Sequence, residues 1–292
     1  MRSEEVLVTS FFQAHPDDAA RIIELTPAAE AAALLETIAP DAAAAAVQRM
    51  ATLASSACLS AMNPEHAAAI LAELPMDTTV RLLRQMSPPA NETLLALLPE
   101  SIARPTGLLL QYPENTAGAL MDPMAPAVPE DVTAEQVDLL IRHDPGSVFY
   151  YIYVVDRDHK LTGVMDLRQL MSADPSAPVG SFMHTDVTAL AADMDLVALL
   201  RHPGWRDFDA LPVVDRNGVF LGMIRQRLIR QMRRSTEKDG RLMESWEVLL
   251  AMGELYWIGV SEFMELLTLP VRAAAAQSDV GEPAAPRNGD PL

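Results

Sequence analysis

The sequence predicts an α+β protein with an N-terminal α-helical superhelix, a duplicated β-rich module and a C-terminal amphipathic helix. Three patterns predict it. Prolines punctuate Ala/Leu-rich segments over the first 110 residues. One strand–turn–strand phrase occurs twice with a constant offset, and an apolar stretch near the C-terminus carries regularly spaced glutamates. An internal repeat settles architecture before any single residue is interpreted, so the repeats come first.

In the N-terminal part, Pro16, Pro27, Pro40, Pro64, Pro75, Pro88 and Pro99 recur, each followed by a run such as Asp17-Asp18-Ala19-Ala20-Arg21-Ile22-Ile23-Glu24-Leu25. Proline suits the first turn of a helix, where its missing N–H would have no partner anyway. Asn63 and Ser87 stand immediately before two of these prolines as expected N-caps. The pattern predicts short helices of about three turns stacked into a superhelix over residues 1–110. Such arrays serve as interaction surfaces or as plain helical spacers. A connector follows at 111–120, within Tyr112-Pro113-Glu114-Asn115-Thr116-Ala117-Gly118-Ala119-Leu120-Met121.

The duplication lies beyond it. Tyr151-Ile152-Tyr153-Val154-Val155-Asp156 leads through a polar turn to Leu161-Thr162-Gly163-Val164-Met165. Leu211-Pro212-Val213-Val214-Asp215 leads to Phe220-Leu221-Gly222-Met223-Ile224. Asp156 recurs as Asp215 and Gly163 as Gly222, 59 positions on in both cases. Each copy reads as two short strands joined by a turn. One copy alone would leave an apolar sheet face bare, so the two are expected to pack together. Helices are expected at Val132–Arg142, capped by Asp131 or Thr133 with Val137, Leu140 and Ile141 inward, and at about Leu196–Leu200. The copies span 121–175 and 176–236. A basic helix closes the second, carrying Arg227, Arg230, Arg233 and Arg234.

Residues 240–270 form the third part. Trp246 to Leu269 is apolar enough to raise the question of a membrane span, but Glu247, Glu254, Glu262 and Glu265 interrupt it. A carboxylate near a bilayer centre costs about 2–3 kcal/mol, so an amphipathic helix with an acidic stripe is expected. Trp246, Trp257 and Phe263 mark its apolar, partner-binding face. That face could dock on its own chain, bind another protein or lie on a membrane interface. The tail, 273–292, is expected to be disordered.

Composition excludes several functions. The 292 residues carry a net charge of −18, against the basic footprint that sequence-independent nucleic-acid binding needs. Cys58 is the only cysteine, so no disulfide or thiolate metal cluster can form within one chain. The six histidines show no paired metal-ligand spacing, and neither a phosphate-cradling glycine loop nor a Gly-x-Ser-x-Gly turn occurs. No catalytic role is expected. The N-terminus lacks the basic start and long apolar core of a signal peptide, so a cytoplasmic protein is expected.

The Pro-punctuated helices, Thr116-Ala117-Gly118-Ala119-Leu120-Met121, Tyr150 to Asp156, and Asp207-Phe208 before Leu211 to Asp215 together resemble the cytosolic part of the MgtE magnesium channels. That part joins a helical N-domain to a tandem pair of cystathionine-β-synthase (CBS) domains, a Bateman module. The similarity covers about residues 12–235. The resemblance implies a homodimer through the CBS pair and magnesium-controlled packing of the domains. The family's pore would follow the CBS pair, whereas this sequence ends about 55 residues later without a span, like a sensor portion detached from its channel.

The same resemblance implies candidate residues. Asp195 and Asp207 stand where the family places metal-interacting acids of its second CBS domain. Gly204 would offer a carbonyl and Glu65 an acid from the N-domain, although Ala69 replaces the partner acid one turn on. Mg²⁺ keeps several waters and needs few carboxylates, so scattered acids suffice. The helix leaving the second copy is acidic in the family and basic here. Arg227, Arg230, Arg233 and Arg234 are expected either to pair with N-domain acids such as Glu65 or Glu73, weakening magnesium dependence, or simply to be solvated. The family's usual ribose contact, an Asp three residues after a Ser or Thr, is absent: the matching pairs are Asp166/Gln169 and Arg225/Leu228. No nucleotide is expected. Two readings remain: a magnesium-responsive regulatory protein, or an interaction scaffold with weakened sensing.

Overall fold

The computed structural model describes residues 2–143 and 151–234. It divides into one compact unit, Met1–Ile229, and a second, Arg230–Leu292, of which residues 230–234 are described and are helical.

Nine helices make the N-terminal array: α1 (Arg2–Ala14), α2 (Pro16–Glu24), α3 (Ala28–Leu35), α4 (Pro40–Val47), α5 (Thr52–Ala61), α6 (Pro64–Ala72), α7 (Met76–Gln85), α8 (Ala90–Leu97) and α9 (Glu100–Leu110). From α2 onward each helix packs on the one two places along, α2 on α4, α3 on α5 and so on to α7 on α9. Ala19, Ala43, Ala46 and Ala67 are fully buried at these crossings, between larger residues such as Leu35, Leu59, Ile70 and Leu83. Small side chains let the short helices approach closely enough for those leucines to interlock.

The repeat extends to its hydrogen bonds. The Glu24 carboxylate accepts from the Ala51 N–H, and Glu36 accepts from the Asn63 N–H at 2.6 Å, both across 27 residues. Each satisfies a donor that a helix start leaves open. One repeat further on the acid becomes Gln48 and the donor becomes Pro75, which has no N–H, so the two lapse together. Buried hydroxyls follow the same logic: Ser55 donates to the Val47 and Ala51 carbonyls, and Thr79 to those of Leu71 and Pro75.

Prolines start these helices as expected, but in two positions. Pro16, Pro40 and Pro64 occupy the first turn, whereas Pro27, Pro75 and Pro99 are N-caps with extended backbone. Asn63 caps α6 through its side chain, accepting from the Glu65 N–H at 2.9 Å. Ser87 does not cap α8: the tandem Pro88-Pro89 moves the helix start on to Ala90, with Pro89 as N-cap. Cys58 is buried in α5, where burial pushes its thiol up to about 11, so the reactive thiolate is scarce.

After the short α10 (Ala117–Leu120) come the two copies. The first contains β1 (Ala127–Pro129), α11 (Ala134–His143), β2 (Tyr151–Val155), β3 (Leu161–Asp166) and α12 (Leu167–Ser172). The second contains β4 (Leu190–Ala191), α13 (Leu196–Arg201), β5 (Ala210–Val214), β6 (Phe220–Arg225) and an exit helix at 226–234. Each sheet runs parallel then antiparallel, in the orders β1-β2-β3 and β4-β5-β6. Hairpin registers coincide residue for residue: Val154 faces Gly163 as Val213 faces Gly222, with a bulge one residue later in both.

Thr133 caps α11, accepting from the Gln136 N–H while the Gln136 side chain accepts from its own. Val137 is buried and Ile141 packs on the core, but Leu140 is 57% exposed, contrary to the inward placement expected for it. Leu139 is exposed beside it, so this helix presents two leucines outward.

The sheets meet as expected, through Tyr153, Val155, Phe220 and Met223, with the Tyr153 and Phe220 rings 4.9 Å apart. Lys160 bridges to Val219, its own counterpart 59 residues on, which is the mark of a local twofold axis between copies. The edges are exchanged as well. Asp122, ahead of β1 in the first copy, pairs with Met223 of the second, and His184, ahead of β4 in the second, pairs with Val164 of the first. Among the described residues no helix is long and apolar enough to cross a membrane.

Candidate functional site

A cleft of about 580 Å³ opens where the first copy's hairpin faces the second copy. Its walls are Tyr151, Tyr153, Val164 and Met165 on one side, Asp207, Phe208 and Ala210–Pro212 on the other, and the linker Met183–Thr188 across one edge. The exchanged edge strand is what brings that linker in, because His184 is held against Val164 by a reciprocal pair of backbone hydrogen bonds, 2.8 and 2.9 Å.

Asp166 lines the cleft at the start of α12. Its carboxylate accepts from the Gln169 N–H at 2.7 Å while the Gln169 side chain accepts from the Asp166 N–H at 3.0 Å, a reciprocal capping box. Gln169 also reaches the His184 ring, Nε2 to Nε2, at 2.9 Å. Both members of the first copy's expected ribose pair are therefore engaged in capping. In the second copy Arg225 holds the matching place and pairs with Asp122 at 3.3 Å. Tyr153, in the cleft wall, is buried, and that burial raises its phenol well above the ordinary tyrosine range.

The residues expected for a metal are distributed differently. Asp195 is exposed and caps α13, accepting from the Ala198 N–H at 2.8 Å, and it bridges to Thr116 of the connector. Asp207 ends the 3₁₀ turn Pro203–Arg206 and turns to the cleft instead. Gly204 is buried, and its carbonyl already accepts from the Asp207 and Phe208 N–H groups at 3.2 and 3.0 Å, which uses both lone pairs. Glu65 is exposed in the first turn of α6. Among the described residues no three His, Cys, Asp or Glu side chains gather into a metal-binding group. Arg227 is exposed on the exit helix, and Arg230, Arg233 and Arg234 continue it in the second unit. Trp246, Trp257, Phe263, and with them the expected amphipathic helix and tail, lie outside the described residues.

The array and the second copy are joined by apolar contact. Val80 and Leu109 belong to one buried cluster with Leu190, Leu199, Trp205, Leu211 and Ile229. Trp205 is pinned by its indole N–H to the Leu199 carbonyl at 2.7 Å, and the Gln226 amide donates to the Trp205 carbonyl. The connector adds backbone bonds, with the Ala117 N–H donating to Met194 at 2.9 Å and Gly118 to Ala192 at 2.8 Å. Gly118 is required there, because a Cβ would lie 2.4 Å from the Tyr112 ring.

Asp186, Tyr151 and the cleft itself were missed in the sequence. Asp186 lies in a linker without periodicity, and only the edge exchange brings it to the first copy's hairpin. Phe208 was visible beside Asp207, but nothing in the sequence showed that it faces another copy.

A helical array is thus fused to a paired, twofold-related β-α-β-β module. Family models agree on both halves: residues 14–115 match the MgtE intracellular N domain and residues 179–233 the CBS domain. The first copy's strand registers equal those of the second. A crystal structure of the cytosolic domain of the Mg²⁺ channel MgtE in complex with ATP is 30% identical, covers 75% of this chain and 90% of that one, and has a TM-score of 0.58. The soluble part of a magnesium transporter is 20% identical, covers 81% and 99%, and gives a TM-score of 0.54, a likeness of fold. The magnesium transporter MgtE of Thermus thermophilus is 39% identical over 118 residues, and that of Bacillus subtilis 27% over 132. The chain belongs to the MgtE family. It matches 26% and 29% of the length of those two transporters.

Proposed function

We propose that this chain is a non-catalytic, cytosolic regulatory protein in which Mg²⁺ at acidic positions adjusts how the helical array packs on the second CBS copy. The observation that carries the reading is the 30% identity to the cytosolic domain of the Mg²⁺ channel MgtE across both halves. Asp195 supports it: the carboxylate sits at the backbone junction between connector and second copy, exposed, with one oxygen engaged in capping. Mg²⁺ retains most of its water and binds through one or two carboxylates, so a compact cluster of ligands is not required. Asp207 and Glu65 are the other acids of this reading. Gly204 contributes by shaping the turn before Asp207, its carbonyl being occupied.

The protein is proposed to act as a homodimer through the CBS pair. Leu139 and Leu140 on α11 and Leu167 and Met171 on α12 are exposed apolar side chains that such a partner would cover. Coupling to a magnesium pore belongs to the same proposal.

The second reading, a scaffold with weakened sensing, is favoured by the arginines on the exit helix and by the apolar cluster that already joins the array to the second copy. A direct pair between Arg227 and an acid such as Glu65 or Glu73 would contribute about 0–1 kcal/mol if exposed. Protease protection during a magnesium titration separates the readings. Millimolar Mg²⁺ protects the connector if the first is right, and Asp195→Asn shifts the midpoint upward. Digestion indifferent to magnesium assigns the protein to the scaffold reading.

A further inference from the structure

We propose that Arg84 is a positioning residue: it fixes the entry of the connector to the helical array, so that the two shift on the second copy as one body. The coupling deepens the magnesium reading, on which it rests for its use, by naming the side chain that carries a change at Asp195 into the array.

Met76, Val80 and Arg84 follow one another at four-residue spacing, which places them along one face of α7. Val80 is buried in the cluster that joins the array to the second copy, and Met76 packs against the same cluster. Arg84, one turn further on and half-buried, donates from its guanidinium to the Leu109 carbonyl at 2.6 Å. Leu109 belongs to that cluster too, and it stands in the last turn of α9, directly before the connector. One face of α7 therefore seats on the second copy and grips the start of the connector.

The last turn of α9 needs that grip. A helix end leaves four carbonyls without helical partners. Here the Gln111 and Tyr112 N–H groups return to the Leu108 and Leu109 carbonyls through bonds of 3.2 and 3.3 Å. α9 has no basic residue in this turn, so the cation that its negative end favours comes from α7. Among the described residues Arg84 makes no ion pair with a carboxylate, which leaves its charge directed at the carbonyl. Further along, the connector is held by backbone bonds: Ala117 to Met194, Gly118 to Ala192, and Asp122 to Met223 in both directions. Arg84 holds the end nearest the array.

The test is amide hydrogen exchange on the full chain, comparing wild type with Arg84→Met and Arg84→Lys, first without magnesium. Methionine keeps an apolar stem and removes both donor and charge. Exchange at Tyr112, Ala117 and Gly118 should quicken about tenfold in Arg84→Met, the worth of one hydrogen bond to a charged group. Leu59 in α5 and Tyr153 in β2 should keep their rates, and Arg84→Lys, which retains a cationic donor, should restore most of the protection. Arg84→Gln carries the same expectation as Arg84→Met and replaces it if the methionine variant does not fold. Unchanged exchange at the connector overturns the proposal. So does equal quickening at Leu59 and Tyr153, which would make Arg84 a residue of general stability. With magnesium added, protection in the wild type should spread from Ala117 and Gly118 to Leu82 and Leu83 of α7, and in Arg84→Met it should stop at the connector. Spread to α7 in both proteins also overturns the proposal. A wild type indifferent to magnesium counts against the magnesium reading alone, because the rates measured without the ion already decide the role of Arg84.

Discussion

The two copies pair their strands in the same register, bulge at the same point and place the same residue types at the turn aspartate and the strand glycine. They part at the residue that opens the helix after the hairpin: Asp166 in the first, Arg225 in the second. They also part in what they carry. The second copy shares its apolar core with the helical array, whereas the first faces an open, acid-lined cleft. A duplicated backbone thus keeps the positions that pairing requires and lets chemistry diverge at positions that pairing leaves alone.

The comparison is broken most severely at the seam. Phe220, in the core between the sheets, stacks on Tyr153, and Phe220→Ala should cost about 3–4 kcal/mol in urea unfolding. A loss below 1 kcal/mol would mean that the copies do not depend on each other.

The paired glycines sharpen it next. A Cβ on Gly222 would lie 2.5 Å from the Asp122 carbonyl, which is backbone, while a Cβ on Gly163 would meet first the flexible Met183 side chain. Gly222→Ala should therefore cost about 2–3 kcal/mol and Gly163→Ala nearer 1, since overpacking hurts most where the neighbour cannot move. Equal losses would contradict the contrast between a backbone neighbour at Gly222 and a side-chain neighbour at Gly163.

The smallest effect falls at the turns. Gly218 and His159 occupy matching positions with φ of +82° and +61°. Nothing lies within 4 Å of a Cβ added at Gly218, so Gly218→Ala isolates backbone strain, about 1 kcal/mol. His159 tolerates the same strain in the first copy, where its ring lies 6.4 Å from that of Phe220.

Local signals made the architecture legible in the sequence: the 59-residue offset, the turn residues and the proline spacing all act within a few positions of the structure they specify. Leu140 misled because α11 is amphipathic with a narrow buried face, and one position of rotation separates Leu140 from Ile141. Ser87 misled because a second proline follows the first and displaces the helix start. The cleft was illegible for another reason. Asp186 reaches the first copy's hairpin only through strands exchanged between copies, and no short motif records a pairing across that distance. Asp195 was singled out by resemblance alone, and the structure adds its place beside Thr116.

The most direct test of the account is hydrogen exchange at the Ala117 and Gly118 amides, which donate to Met194 and Ala192 next to Asp195. Mg²⁺ held at Asp195 should slow exchange at both amides in a saturable, millimolar titration, with the effect lost in Asp195→Asn. Exchange rates at these two amides that are the same with and without magnesium would contradict magnesium control of the junction.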